Sequence, residues 1–270
     1  MNLASACAPH VFLGDGAIAE QEPAEQSDQI MSPDISAPET APPSLPSPQR
    51  RQERVLTLAR RVATGVLVLL CLMTALFGWT WAHTPSVTNL EALVRASLRT
   101  HSAPYTSLNA TTPQLPQALI AIEDKRFYQH PGVDLIALLR AGWADLRAGS
   151  LTQGGSTLTM QLAKIVYLDS FDHTIPRKWE DIVLAVKIEH QYSKDQIMEL
   201  YLNAANYGEG AYGVGAAAQH YFGTTPARLD LAQAALLAGV VRAPSVYDPW
   251  CHPAAAHARQ IDVLNHMAAL

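Results

Sequence analysis

The chain reads as an all-α protein behind a single N-terminal transmembrane helix. Three observations predict this. Val62 to Ala82 form an unbroken apolar stretch without a charged residue, which is about the length that crosses a bilayer core. Beyond it, apolar residues recur at helical spacing through most of the sequence, and no alternating apolar and polar run is long enough to build a sheet of any size. With 270 residues there is room for one substantial domain plus appendages, at roughly 100 to 200 residues per domain.

Residues 1–54 form the first segment, an acidic, Pro-rich tail that ends in an arginine cluster. From Met1 to Pro48 there is no Lys or Arg, while Asp15, Glu20, Glu22, Glu25, Asp28, Asp34 and Glu39 stand among Pro, Ser, Ala and Gln. So few large apolar side chains cannot offset the entropy of ordering the backbone, so this tail is expected to be disordered. Arg50, Arg51, Arg54, Arg60 and Arg61 lie on the N-terminal side of the apolar stretch. The positive-inside rule then puts the tail in the cytoplasm, the span over residues 55–82, and everything after His83 on the far side of the cytoplasmic (inner) membrane. Trp79 and Trp81 sit where an interfacial aromatic belt belongs. A cleaved signal peptide fits less well, because the apolar run is long and begins far from Met1.

The three cysteines, Cys7, Cys71 and Cys251, fall in the tail, the span and the exported part, so no disulfide is expected within the last. No Cys/His spacing of zinc-site type is present. Residues 83–270 carry 14 Lys plus Arg against 16 Asp plus Glu, a near-neutral balance that argues against nucleic acid as a partner.

Residues 83–110 read as a polar connector with a short helix near Leu90 to Leu98, and 111–270 as the functional domain. Its expected helices start with Pro116 to Tyr128, then one N-capped by Asp134 and running to Arg147, closed by Gly149. Another is capped by Ser156 or Thr157 and runs through Tyr167. Thr174 before Pro176 opens the next. Ser193 with Gln196 makes a capping box for Lys194 to Ala204. Ala211–Tyr221, Leu231–Val240 and Pro253–Ala269 complete the pattern.

Three segments could carry chemistry. Glu123, Asp124, Lys125, Phe127 and His130 form a polar cluster at a helix end, a pattern that alone also fits a solvated helix terminus. Gly154, Gly155, Ser156 and Thr157 place a glycine turn and two hydroxyls at a helix start, where free N–H groups suit an anion, although a plain capped helix looks the same. Gln161 and Lys164 share one face of that helix. Arg177, Lys178 and Asp181 open a later helix, with Asp181 on a largely apolar stripe behind a cationic turn. Salt bridging within the helix start is the ordinary alternative.

In this order, these segments resemble the family 51 glycosyltransferases of bacterial cell-wall synthesis. Glu123, Asp124, Phe127, His130 and Gly132 match the family's first motif. Gly154 to Lys164 match the second, with Met160 in place of a Gln. Arg177, Lys178 and Asp181 match the third, with Asp where the family has Glu. Ser193 to Asn203, Gly208 to Gly223 and Leu236 to Pro249 resemble the remaining motifs. The resemblance implies a lysozyme-like, mostly helical fold and a peptidoglycan glycosyltransferase that polymerises lipid II into glycan with inversion.

By the same resemblance Glu123 is the base that takes the proton of the acceptor 4-hydroxyl. Lys164, Arg177 and Lys178 stabilise the departing undecaprenyl pyrophosphate. Asp124, Lys125, Phe127, His130, Gly155, Ser156, Thr157 and Gln161 belong to substrate binding. Asp181 assists the leaving group or holds a divalent cation, Mg or Mn, and no covalent cofactor is expected. The implied partners are lipid II, the growing strand, the membrane and other cell-wall synthesis or division proteins. No Ser-x-x-Lys occurs in the chain, so a monofunctional polymerase is expected. Two readings from other classes stay open: a weakly active or inactive lipid II or glycan-binding regulator of another synthase, which Asp181, Met160 and Ile165, the last where the family often has Asn, would favour, and a lysozyme-like hydrolase.

Overall fold

The computed structural model describes residues 48–148, 155–168 and 175–270. The expected disordered tail up to residue 47, the closing Gly149 and the capping Thr174 lie outside the described residues.

Among the described residues the chain is helical, with one isolated antiparallel bridge between Asn206 and Tyr212. α1 is Pro48–His83, α2 Leu90–Thr100, α3 Gln114–Glu123, α4 Leu135–Ala148 and α5 Leu158–Tyr167. α6 is Ile175–Gln191, α7 Lys194–Ala204, α8 Gly213–Phe222, α9 Leu231–Val240 and α10 Pro253–Ala268. Single 3-10 turns lie at Leu108–Ala110 and Pro226–Arg228. The all-α class expected from the sequence is therefore the class observed.

Two compact units divide at Leu72 and Met73. The described part of the first is the outer portion of α1, where Val55, Leu58, Val62, Leu67 and Leu70 are exposed. Within α1, Gln52–His83 is long and apolar enough to cross a membrane.

The second unit holds the core. α9 packs against α10 and α3, and α3 also meets α10; α5 packs against α6 and α7, and α2 against α7. Leu115, Leu119, Phe127, Leu158, Leu162, Leu184, Ile188, Tyr201 and Leu237 are buried where these groups meet. Truncating such a leucine to Ala typically costs about 2–5 kcal/mol, because the cavity left behind collapses only in part. Gly239 lets α10 approach α9, since a Cβ there would lie 2.9 Å from Arg259 Cγ.

The stretch expected as a polar connector is part of this core. Val87, Leu90, Val94 and Leu98 are buried, the last three at steps of four along one face of α2. Burying that stripe needs a partner, and α7 supplies much of it. Glu199 accepts from Tyr105 Oη at 2.7 Å and Leu108 N at 2.8 Å, and Asn203 bonds both backbone groups of Thr106. The Ser193–Asn203 motif thus ties down residues 105–108. At its start the Ser193–Gln196 capping box has formed as expected.

The last turns of α1 also belong to this unit. Trp179 Nε1 donates to Thr80 Oγ1 at 3.0 Å, Phe77 meets the Trp179 ring edge-on, and Lys187 Nζ donates to Thr84 O at 2.9 Å. Thr80 is buried as a result, whereas Trp79 is exposed and stacks on His83.

Candidate active site

Glu123 is the last residue of α3, and the helix stops there because Asp124 turns its carboxylate to other partners. That carboxylate accepts from His130 Nε2, 3.0 Å from both oxygens, and from Leu158 N at 3.0 Å. The sequence pattern carried this helix on to Tyr128. A carboxylate anchored at the N-terminus of α5 outweighs a continued apolar spacing, because it meets a free N–H and the positive end of a helix at once.

The loop so formed is held from several sides. Gly132, at φ +93°, sits against α6, where a Cβ would lie 2.9 Å from Ala185 O. Thr157 caps α5 by accepting from Met160 N and donates its own hydroxyl to Gly132 O at 2.6 Å. Arg126 pairs with Asp134, which also caps α4 through Ala137 N, and the guanidinium holds the Asp134 carboxyl below its ordinary range. Phe127 is fully buried under Lys194 Nζ, 4.5 Å above its ring.

Glu123 itself is at a meeting point of the two helix groups. Its side chain is 3% exposed, and both oxygens are engaged. Arg259 of α10 donates Nη2 to Oε1 at 3.0 Å; Gln161 of α5 donates Nε2 to Oε2 at 2.9 Å; Arg242, just after α9, reaches Oε2 at 3.4 Å. Gln161 in turn accepts from Tyr201 Oη at 2.9 Å. Burial, then the nearby Glu123 charge, pushes the Tyr201 phenol well above its ordinary range, so it remains a donor.

A second cluster lies at the start of α6. Lys178 Nζ donates to Ser156 Oγ, and Asp181 lies one turn further along the helix. Burial pushes the Lys178 ammonium down, and the Asp181 charge partly restores it. Asp181 is 8% exposed, and burial raises its carboxyl against the opposing pull of Lys178, Arg177 and Lys164. Its Oδ1 is buried without a hydrogen-bond partner among the described residues. α5 joins the two clusters, with Gln161 in the first and Ser156 just before the helix in the second.

The expected site residues therefore divide. Glu123 and Gln161 form one cluster; Ser156, Lys164, Arg177, Lys178 and Asp181 form the other. Asp124, Phe127, His130 and Thr157 are buried and hold the loop beneath them. Gly155 admits α4, since a Cβ there would meet Leu138 Cδ2 at 2.9 Å, and Lys125 is exposed outside both clusters. Met160 is 1% exposed in the core, so this departure from the family motif removes no polar group from the site.

Sequence reasoning missed Arg242, Arg259 and Tyr201. Arg242 lies in the Leu236–Pro249 motif and Tyr201 in the Ser193–Asn203 motif, so motif membership could have flagged both. Arg259 lies in a helix without local pattern, and only the fold brings it to Glu123.

Residues 91–268 match the family described as Transglycosylase. Penicillin-binding protein 1F of Bacillus subtilis is 41% identical over 172 residues, 64% of this chain and 24% of that protein. Penicillin-binding protein 1A of Aquifex aeolicus is 41% identical over 189 residues, 70% of this chain and 26% of that protein. The chain thus spans about a quarter of the length of these two relatives. A Cupriavidus necator protein described as a candidate transglycosylase is 44% identical over 170 residues, 63% of this chain and 73% of that one. With two thirds of its length inside that match, the chain belongs to the transglycosylase family, the family 51 glycosyltransferases that its motifs resemble.

Proposed function

We propose that this chain polymerises lipid II, joining the 4-hydroxyl of an acceptor sugar to the anomeric carbon of an undecaprenyl-pyrophosphate-linked donor with inversion. The observation that carries this reading is that α5 and the residue just before it join a buried, donor-held Glu123, through Gln161, to the cationic Lys178 cluster, through Ser156.

An alcohol is a weak nucleophile at neutral pH, so its proton must pass to a base as the new bond forms. Glu123 is that base. Of its three donors, Arg242 is the longest and the only one whose side chain is about half exposed, at 48%. The acceptor hydroxyl reaches Oε2 by displacing Arg242, while Arg259 and Gln161 keep the carboxylate aimed. The leaving diphosphate gains charge, which Lys178, Lys164 and Arg177 offset, with Ser156 fixing the Lys178 ammonium. Asp124, His130 and Thr157 contribute by holding the loop and the start of α5.

A divalent cation fits Asp181, whose buried and unpartnered Oδ1 is the hard oxygen such an ion takes, the rest of its shell coming from donor phosphates. Bound there, Mg or Mn would neutralise charge on the leaving diphosphate. The Arg cluster before the apolar span supports a domain on the outer face of the cytoplasmic membrane, where the lipid-linked donor would be met.

The test is to incubate the full-length protein in detergent with lipid II and Mg, then resolve products by gel. Glycan polymer that disappears in Glu123→Gln is the expected result. Binding of lipid II without polymer, by wild type and by Asp181→Glu, would instead establish a lipid II-binding regulator. The engagement of both Glu123 oxygens favours that second reading.

A further inference from the structure

The motif at 208–223 contributes no side chain to either cluster around Glu123 and Asp181. It lines a separate cavity of about 610 Å³, within the size range of small-molecule sites. The floor is made of small residues, Ala211, Gly215 and Ala216. A Cβ at Gly215 would come 2.8 Å from Thr106 Oγ1 and 2.9 Å from Pro104 Cγ, so only glycine leaves this floor intact. Around it stand hydrogen-bonding side chains, Gln219, His220, Thr224 and Thr225, together with the Glu209 carboxylate. Glu209 is exposed and holds a left-handed backbone, φ 48°, between two glycines of positive φ. Such backbone costs on the order of 1 kcal/mol in a non-glycine residue and persists where the surroundings demand it.

Beside His220 the surface carries an aromatic platform. The Trp250 ring lies 4.5 Å from that of His220 and 5.5 Å from that of Tyr221, and Trp250 is 56% exposed. Among the described residues no Lys or Arg lines the cavity, so a phosphate-bearing lipid or nucleotide would find no cationic side chain among them. A flat aromatic face beside amide and hydroxyl donors and acceptors suits a ligand with apolar C–H faces and many hydroxyl and amide edges, which is a sugar.

We propose that this cavity, with Trp250 at its edge, is a second binding site for an uncharged oligosaccharide of N-acetylated hexosamines, holding a length of glycan away from the reacting ends. The proposal goes beyond the polymerase reading and needs no catalysis by this chain.

The test uses chitotetraose as probe, with the full-length protein in detergent micelles and EDTA present, read by calorimetry and saturation-transfer NMR. Trp250→Ala removes the platform, and Thr225→Arg, at an exposed position, fills the cavity. Each variant is checked for unchanged far-UV circular dichroism. The expected result is that wild type and Glu123→Gln bind alike, while each cavity variant binds about tenfold more weakly, the size of one aromatic contact. No binding by wild type, or equal binding by wild type and both cavity variants, overturns the proposal. If lipid II is never polymerised, the catalytic reading fails while this titration still decides the cavity.

Discussion

Glu123 and Asp181 are both buried carboxylates among cations, yet the protein completes only one of them. Each Glu123 oxygen has a donor, and the donors come from three elements of the fold. Asp181 has cations nearby but an Oδ1 with no partner among the described residues. A buried acceptor left unmet costs about 1–3 kcal/mol, so a fold retains one where something other than the protein will satisfy it. The first carboxylate is pre-aimed before substrate arrives. The second has no donor at Oδ1 among the described residues.

The contrast breaks most completely at Glu123. Glu123→Gln keeps the shape and loses the base, and polymerisation is expected to fall about 10²–10⁴-fold, measured as the initial rate of lipid II consumption. The donors differ as well. Removing Arg259, whose side chain is 13% exposed, strands a buried charge, so Arg259→Met should cost about 3–5 kcal/mol in a denaturant titration. Arg242→Met, at an exposed and longer contact, should cost under about 1 kcal/mol in the same titration. Equal losses for the two would mean that Arg242 is as fixed a partner as Arg259 and cannot yield to an acceptor.

Much of the fold was legible because local signals agree with it. The Ser193–Gln196 box, the Thr157 cap and the Leu231–Val240 helix fall where caps and spacing put them. The misses share a cause, which is contact between residues far apart in the chain. Residues 83–110 read as a connector because their apolar positions are few, yet Val87, Leu90, Val94 and Leu98 are all buried, with α2 packed against α7 and α5. The end of α3 was overrun because nothing local says that Asp124 will bond Leu158. Glu123 and its motif were visible, but Arg259 was not, since a lone arginine in an Ala-rich helix carries no sign of a partner 136 residues away.

Asp181 sharpens the contrast through pH. Its folded carboxyl is raised above the ordinary value by burial, while the unfolded one is not. Below the unfolded pKa both states hold the proton and burial of the group costs nothing extra. As pH rises through the folded pKa, the carboxyl ionises in its buried position and stability falls, with the cost fully present above that pKa. Asp181→Asn should therefore melt no differently from wild type near pH 3 and higher than wild type near pH 7, a gap that a melting series across this range would show. A gap that shrank with rising pH would mean that the surrounding cations, not burial, dominate at Asp181.

A modest effect tests whether α6 needs its outer support to present Asp181 at all. Trp179→Phe retains the ring against Phe77 and deletes only the donor to Thr80 Oγ1. Thr80 Oγ1 still donates to Leu76 O at 2.8 Å, so no buried hydroxyl loses its last partner. The expected cost is about 0.5–1.5 kcal/mol, the net worth of one hydrogen bond, seen as a shift in denaturation midpoint at unchanged slope. The rate should drop with it only if the end of α1 holds α6 in register, because Lys178 and Asp181 lie within one turn of Trp179. Arg259→Met serves as the control, since its damage enters through Glu123 and α10. A Trp179→Phe protein that loses stability but retains its wild-type rate would show that the second cluster is positioned by α5 alone.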